Sequence, residues 1–227
     1  LIPGVTLNLK QASDEPVDLQ VEPDRKSVKE SIIRFVGQYN KVLEEINILT
    51  GSNEQVVEEL SYYSDEESEA AMKKLGLFQG DITMMQLKSR LQTIMMNPYP
   101  TSEGSSLTLL DQIGVSTNPT RSGGAAVQRS RLRGYLDIDE RKLDDAIDNE
   151  LDAVKQLFGN DTDSDMISDS GVAVESQNYL RPYVQSGGLI ATRVSTLDGK
   201  ISRTNEDIES MQERLARLEQ EYRREFA

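Results

Sequence analysis

The stretch from Ile190 to Phe226, IATRVSTLDGKISRTNEDIESMQERLARLEQEYRREF, decides the fold class. Ile190, Val194, Leu197, Ile201, Thr204, Ile208, Met211, Leu215, Leu218 and Tyr222, with Phe226 or Glu225 at the end, step by four and three without a break. A hydrophobic repeat of 3.5 residues sustained over about five heptads is a coiled-coil seam. Glu213 with Arg217 and Glu219 with Arg223 place acid before base at i, i+4 on its flanks, each pair worth only a few tenths of a kcal/mol. The flanks solubilise the helix, and the seam supplies the drive for association.

A second seam lies upstream, and the alternative to association is that the two seams pack on each other within one chain as an antiparallel pair, leaving self-association to another surface. Pro23-Asp24 ends a β-like pattern, Asp24 or Ser27 can cap a helix, and Val28, Ile32, Phe35, Tyr39, Val42, Ile46 and Leu49 again step by four and three, with Gly51 placed to stop the helix. Between the seams the sequence predicts a helical stretch over 54–74 interrupted by the acidic run Ser64-Asp65-Glu66-Glu67. Asp81 caps a further helix with Met84, Leu87, Leu91, Ile94 and Met95 inward, ending before Asn97-Pro98-Tyr99-Pro100. Residues 98–134 are rich in Pro, Gly, Ser and Thr and read as irregular, with a short strand or two around Leu107–Leu110 and Ile113–Val115. Gly134–Asp139 reads as a strand running into an Asp cap. One helix follows, with Leu143, Ile147, Leu151, Val154 and Phe158 on one side before Gly159. After a polar loop over 160–170 comes a helix of about 174–184, which Pro182 should bend or cut short, closed by Gly187-Gly188.

Residues 1–23 differ from all of this. Val5, Leu7 and Leu9, then Val17, Leu19 and Val21, alternate with polar residues, and period two means strands. Two isolated strands are marginal in water, so they are expected to complete a β-domain whose other strands precede Leu1. The opening Leu1-Ile2-Pro3-Gly4 gives the chain the look of a piece of a longer protein. The expected architecture is therefore mainly α: a helical bundle with long coiled-coil helices, a small β-hairpin near 115–138, and N-terminal strands completing a β-domain. Its divisions fall at 1–23, 24–189 and 190–227.

Composition narrows function. Asp and Glu number 39 against 25 Lys and Arg, a net charge of -14 that would repel a phosphate backbone, so nucleic acid is a poor partner. No segment holds the ~18 to 20 apolar residues that cross a bilayer, so membrane insertion is not expected. The hydrophobic fraction of 37% and mean hydropathy of -0.52 suit an elongated helical shape better than a sphere. With neither Cys nor His, thiolate chemistry, disulfides and imidazole proton transfer are all closed to the chain.

The remaining candidates for chemistry have plainer readings. Asp161-Thr162-Asp163-Ser164-Asp165 opens like a calcium loop, but Met166 stands where Gly is needed and Val172 where a bidentate Glu belongs, so a solvated acidic loop is preferred. The run from Ser64 to Glu69 offers no asymmetry between carboxyls that would raise one pKa, and Ser122-Gly123-Gly124 lacks the Lys of a phosphate loop. Met84, Met85, Met95 and Met96 fit core packing at helical spacing. A hydrolase built on Asp161–Asp165 is the weakest reading; no catalytic residue, metal or cofactor is expected.

Ile2-Pro3-Gly4-Val5-Thr6-Leu7-Asn8-Leu9-Lys10, then the 17–21 strand, Asp24, Phe35-Val36 and Tyr39-Asn40, is similar to the junction in flagellar filament cap proteins, the hook-associated protein 2 family, where outer β-domains return to an inner helical domain. Gly80-Asp81, Ile113-Gly114-Val115, Gly134–Asp139 with Leu143, Val154–Phe158, Tyr183, Gly187–Ile190 and the closing Tyr222–Phe226 resemble that family in order. Gly51–Phe78 is longer and more acidic than the family pattern, and the family continues past the position of Ala227. The resemblance implies a non-enzymatic homo-oligomer at the distal tip of the bacterial flagellum. There it contacts flagellin and filament-end subunits and chaperones exported flagellin into place. It would be secreted, or periplasmic if the source is a spirochaete. Another flagellar axial or junction protein, or a secreted coiled-coil adhesin, is the alternative.

Overall fold

The computed structural model describes residues 11, 23–101, 106–117 and 133–225. The strands expected over 1–23 lie outside them. What is described is mainly helical.

Helix α1 (Arg25–Thr50) starts where the sequence places it. Asp24 Oδ1 accepts the Ser27 amide at 2.9 Å and Oδ2 accepts the Ser27 hydroxyl at 2.6 Å. These bonds hold the Asp24 carboxyl below its ordinary pKa, the hydroxyl contributing most. At the other end Gly76 N and Phe78 N donate to the Ile48 and Leu49 carbonyls at 3.0 and 2.7 Å. A later segment thus satisfies carbonyls that the helix itself leaves open.

The stretch expected as one interrupted helix over 54–74 is two separate ones, a single turn α2 (Gln55–Glu58) and α3 (Asp65–Lys74). The acidic run is a helix start. Ser64 Oγ accepts Glu67 N at 3.2 Å while Ser64 N donates to Glu67 Oε2 at 2.8 Å, a complete capping box. Asp65, Glu66 and Glu67 sit in the first turn and Lys73 and Lys74 in the last, each favoured there by the helix dipole. Helix α4 (Ile82–Met96) is capped by Asp81 and buries Leu87, Leu91, Ile94 and Met95.

A 3-10 turn at Leu110–Ile113 ends at Gly114, whose φ of +84° and closeness to the Asp139 carbonyl, 2.7 Å from where a Cβ would stand, leave room for no side chain. The hairpin expected near 115–138 is a ladder of two residues a side: β1 (Val115–Ser116) pairs antiparallel with β2 (Asp137–Ile138), Val115 opposite Ile138. The single helix expected after Asp139 is broken at Glu150 (φ -136°, ψ 44°) into α5 (Glu140–Asn149) and α6 (Leu151–Phe158). The break re-aims the second half. Leu157 and Ala153 enter the core beside Val154, while Leu151 and Phe158, expected inside, are half-buried. Helix α7 (Val172–Val184) starts two residues earlier than expected and carries Pro182 in its last turn.

One core joins these elements: Ile32, Val36, Tyr39, Leu43 and Ile46 of α1 meet Leu87, Leu91 and Ile94 of α4, Ile113, Val115 and Leu136 around the ladder, and Leu143, Ile147, Val154, Leu157 and Val172. Ile48, Val56, Val57, Leu60 and Ala71 form a smaller cluster under α2 and α3. Side chains of α1 and α4, with Glu59 just past α2, hold the segment that leads into β2. Tyr39 Oη donates to Gly134 O at 3.2 Å, Asn47 Nδ2 and Gln92 Nε2 donate to Arg133 O at 3.4 and 3.5 Å, and the Arg133 side chain pairs with Glu59 at 2.9 Å. Helix α8 (Leu189–Glu225), 37 residues long and roughly 55 Å end to end at 1.5 Å per residue, buries none of its residues.

Candidate assembly surface

The two seams have different fates. In α1 the buried series is Ile32, Val36, Tyr39, Leu43 and Ile46, still alternating four and three but through Val36 and Leu43. Of the expected seam, Ile32, Tyr39 and Ile46 are buried, Val28 and Phe35 are half-buried against the core, Leu49 is half-buried, and Val42 is 39% exposed. The first seam is thus occupied by this chain's own core, with Val42 on its outer side. Val36 and Leu43 take the buried positions that Phe35 and Val42 were expected to hold.

The second seam is open. Ile190, Val194, Leu197, Ile201, Ile208, Met211, Leu215, Leu218 and Tyr222 are between 43% (Leu197 and Leu218) and 71% (Met211) exposed. Phe226 lies outside the described residues. Taking Val194, Ile201, Ile208, Leu215 and Tyr222 as one row, the other row is Ile190, Leu197, Thr204, Met211 and Leu218. β-branched residues and leucines in these rows are the composition of an interhelical seam. On the flank, Arg223 pairs with Glu219 at 2.6 Å, whereas Arg217 donates to the Glu213 main-chain carbonyl at 3.4 Å and forms no ion pair with its side chain. The apolar stripe along this 37-residue helix stays exposed among the described residues.

The candidates for chemistry are placed in structural roles. Asp161, Asp163 and Asp169 have carboxylate oxygens within 4.8 Å of one another, but Asp161 accepts the backbone amides of Ser164, Asp165 and Met166, and Asp169 Oδ2 accepts the Thr162 hydroxyl at 2.6 Å. Those bonds fold the loop between Asn160 and Ser170, which pair across its mouth. Among the methionines, Met95 is buried and Met84 half-buried, while Met85 and Met96 are exposed. In α1, the buried Glu44 accepts hydrogen bonds from both Tyr62 and Tyr63 and so ties the start of the acidic segment to the body. No helix among the described residues is long and apolar enough to cross a membrane.

Sequence reasoning missed Arg193. Its guanidinium pairs with Asp81 and lies 5.1 Å from the Phe78 ring centroid, a contact 112 residues apart that no local pattern signals.

Comparison with known proteins places the whole chain. Residues 1–227 match the family model described as flagellar hook-associated protein 2 C-terminus. The flagellar hook-associated protein 2 of Treponema maltophilum is 41% identical over 212 residues, covering 93% of this chain and 32% of the relative. That of Treponema pallidum (strain Nichols) is 38% identical over 204 residues, 90% of this chain and 28% of the relative. That of Borreliella burgdorferi is 38% identical over 208 residues, 88% and 30%. The chain therefore spans about a third of the length of these curated relatives. No solved structure matches it.

Proposed function

Because the chain belongs to the flagellar hook-associated protein 2 C-terminus family, we propose that it forms the helical leg of a flagellar filament cap: a homo-oligomer at the distal tip that receives exported flagellin and places it on the filament end. The observation that carries this reading is the family match over residues 1–227. The open seam of α8 supports it, because nine exposed apolar residues at heptad spacing on one helix call for a further helix to cover them.

On this reading the stripe is closed by a helical segment outside these 227 residues, and the strands of 1–23 complete a β-domain with residues upstream of Leu1. The β-domain, the leg over 24–189 and the coiled-coil helix over 190–227 then act as three parts of one subunit. The role is assembly and not catalysis. The protein is exported, and it acts within the periplasm where the flagellum is enclosed there.

Deleting the gene tests the reading. Cells should carry hooks without filaments and hold or shed unpolymerised flagellin, and restoring the gene should restore filaments. Filaments of normal length in the deletion strain would overturn it.

A further inference from the structure

Every residue of α8 is exposed except Arg193, which is half-buried one turn into the helix. Its guanidinium pairs with Asp81 Oδ2 and lies over the Phe78 ring at 5.1 Å. Both partners are fixed parts of the body. Asp81 Oδ1 accepts Met84 N at 3.0 Å and so caps α4, and Phe78 N donates to the Leu49 carbonyl at the end of α1 at 2.7 Å. The chain enters α8 through Ser186-Gly187-Gly188. Gly187 has φ +71°, and a Cβ on Gly188 would stand 2.6 Å from Pro182 O. The joint is tight, and glycine at both positions permits it. Beyond its contacts with α7, the helix is thus held at two points, the glycine joint and Arg193, about 8 Å further along at 1.5 Å per residue.

We infer that the Arg193–Asp81–Phe78 contact is a latch that sets the angle at which α8 leaves the body, and that its release lets the helix swing about Gly187-Gly188. The lever is long. With roughly 55 Å of helix beyond the joint, a tilt of about 10° carries the far end roughly 10 Å, close to the diameter of a helix. A seam on a rigid but releasable arm can meet its partner helix in one pose and be withdrawn in another without unfolding either part. An ion pair whose arginine is half-exposed also weakens with salt, so release needs no chemical change. A cation–ring contact beside the pair makes Arg193 more than a point charge, and lysine should not replace it.

The latch stands independently of the tip location. The 227 residues contain no Cys, so spin labels can be placed at will in the complete polypeptide once any cysteine outside them is changed to serine. Labels at Ser89→Cys on α4 and Glu206→Cys on α8 should give one narrow distance distribution by pulsed electron resonance. Asp81→Asn keeps a residue that caps α4 about as well as Asp but removes the charge. It should broaden that distribution with unchanged helicity by circular dichroism. Arg193→Gln should do the same from the other side, and Arg193→Lys should restore only part of the order. Molar salt should broaden the parent and leave both variants unmoved. Distributions identical in parent, Asp81→Asn and Arg193→Gln would overturn the latch.

Discussion

Asn40 holds both backbone groups of Leu136: its Nδ2 donates to the Leu136 carbonyl at 2.8 Å and its Oδ1 accepts the Leu136 amide at 2.8 Å. A side-chain amide here completes the backbone pairing that a strand neighbour would otherwise supply, so the segment leading into a ladder of two residue pairs can lie on helix α1. Removing it strands a donor and an acceptor next to the buried Leu136. Asn40→Ala should cost about 2–4 kcal/mol, read from urea unfolding. Asn40→Asp keeps the acceptor and loses the donor, and should fall between.

The register of α1 has its own test. Leu43 is fully buried and its neighbour Val42 is 39% exposed. Leu43→Ala should destabilise by about 2–5 kcal/mol, whereas Val42→Ala should stay within about 0.5 kcal/mol. Equal losses at the two positions would restore Val42 to the packed face.

Leu215→Asp combined with Leu218→Asp separates folding from assembly. Both side chains are exposed in α8, so thermal unfolding of the body, followed by tyrosine fluorescence, should be unchanged. Burying the two charges against a partner helix without counter-ions costs several kcal/mol, so complementation of a deletion strain should fail. Normal filaments in cells carrying the double variant would remove α8 from the assembly surface.

Alkali should unfold the body through its buried phenols. Burial pushes Tyr99 up to about 12 and Tyr39 further, from an ordinary value near 10. With the folded pKa above the unfolded one, the stability tied to each neutral phenol is fully present below pH ~10 and is lost as pH rises through the folded value. Part of the phenolate absorbance near 295 nm should therefore appear only together with loss of helix. Tyr39→Phe should lower stability at neutral pH by about 1 kcal/mol, through its lost bond to Gly134 O, and make the alkaline decline shallower.

How much of this the sequence carried depends on the range of the interactions. The starts of α1, α4 and α5 were legible because Asp24, Asp81 and Asp139 each cap within three residues. The long stripe of α8 was legible because it is periodic. Elsewhere a tertiary contact overrode the local pattern. The break at Glu150 lies inside a run that reads as one amphipathic helix, and beyond it Ala153 and Leu157 enter the core in place of Leu151 and Phe158. Ser64 was readable as a capping box from Glu67 three residues on, yet the density of acidic residues made the run look like an interruption. Arg193 on Asp81 had no local signal at all, since a charged residue on a helix flank ordinarily meets water. Family resemblance pointed to the function, and residue chemistry contributed mainly by removing alternatives.

The claim at the centre of this account is position. Gold-labelled antibody against the complete protein, viewed by electron microscopy on cells with intact flagella, reports it directly. The account predicts label confined to the distal ends of filaments; label along the shafts, at the hook or away from flagella would contradict it.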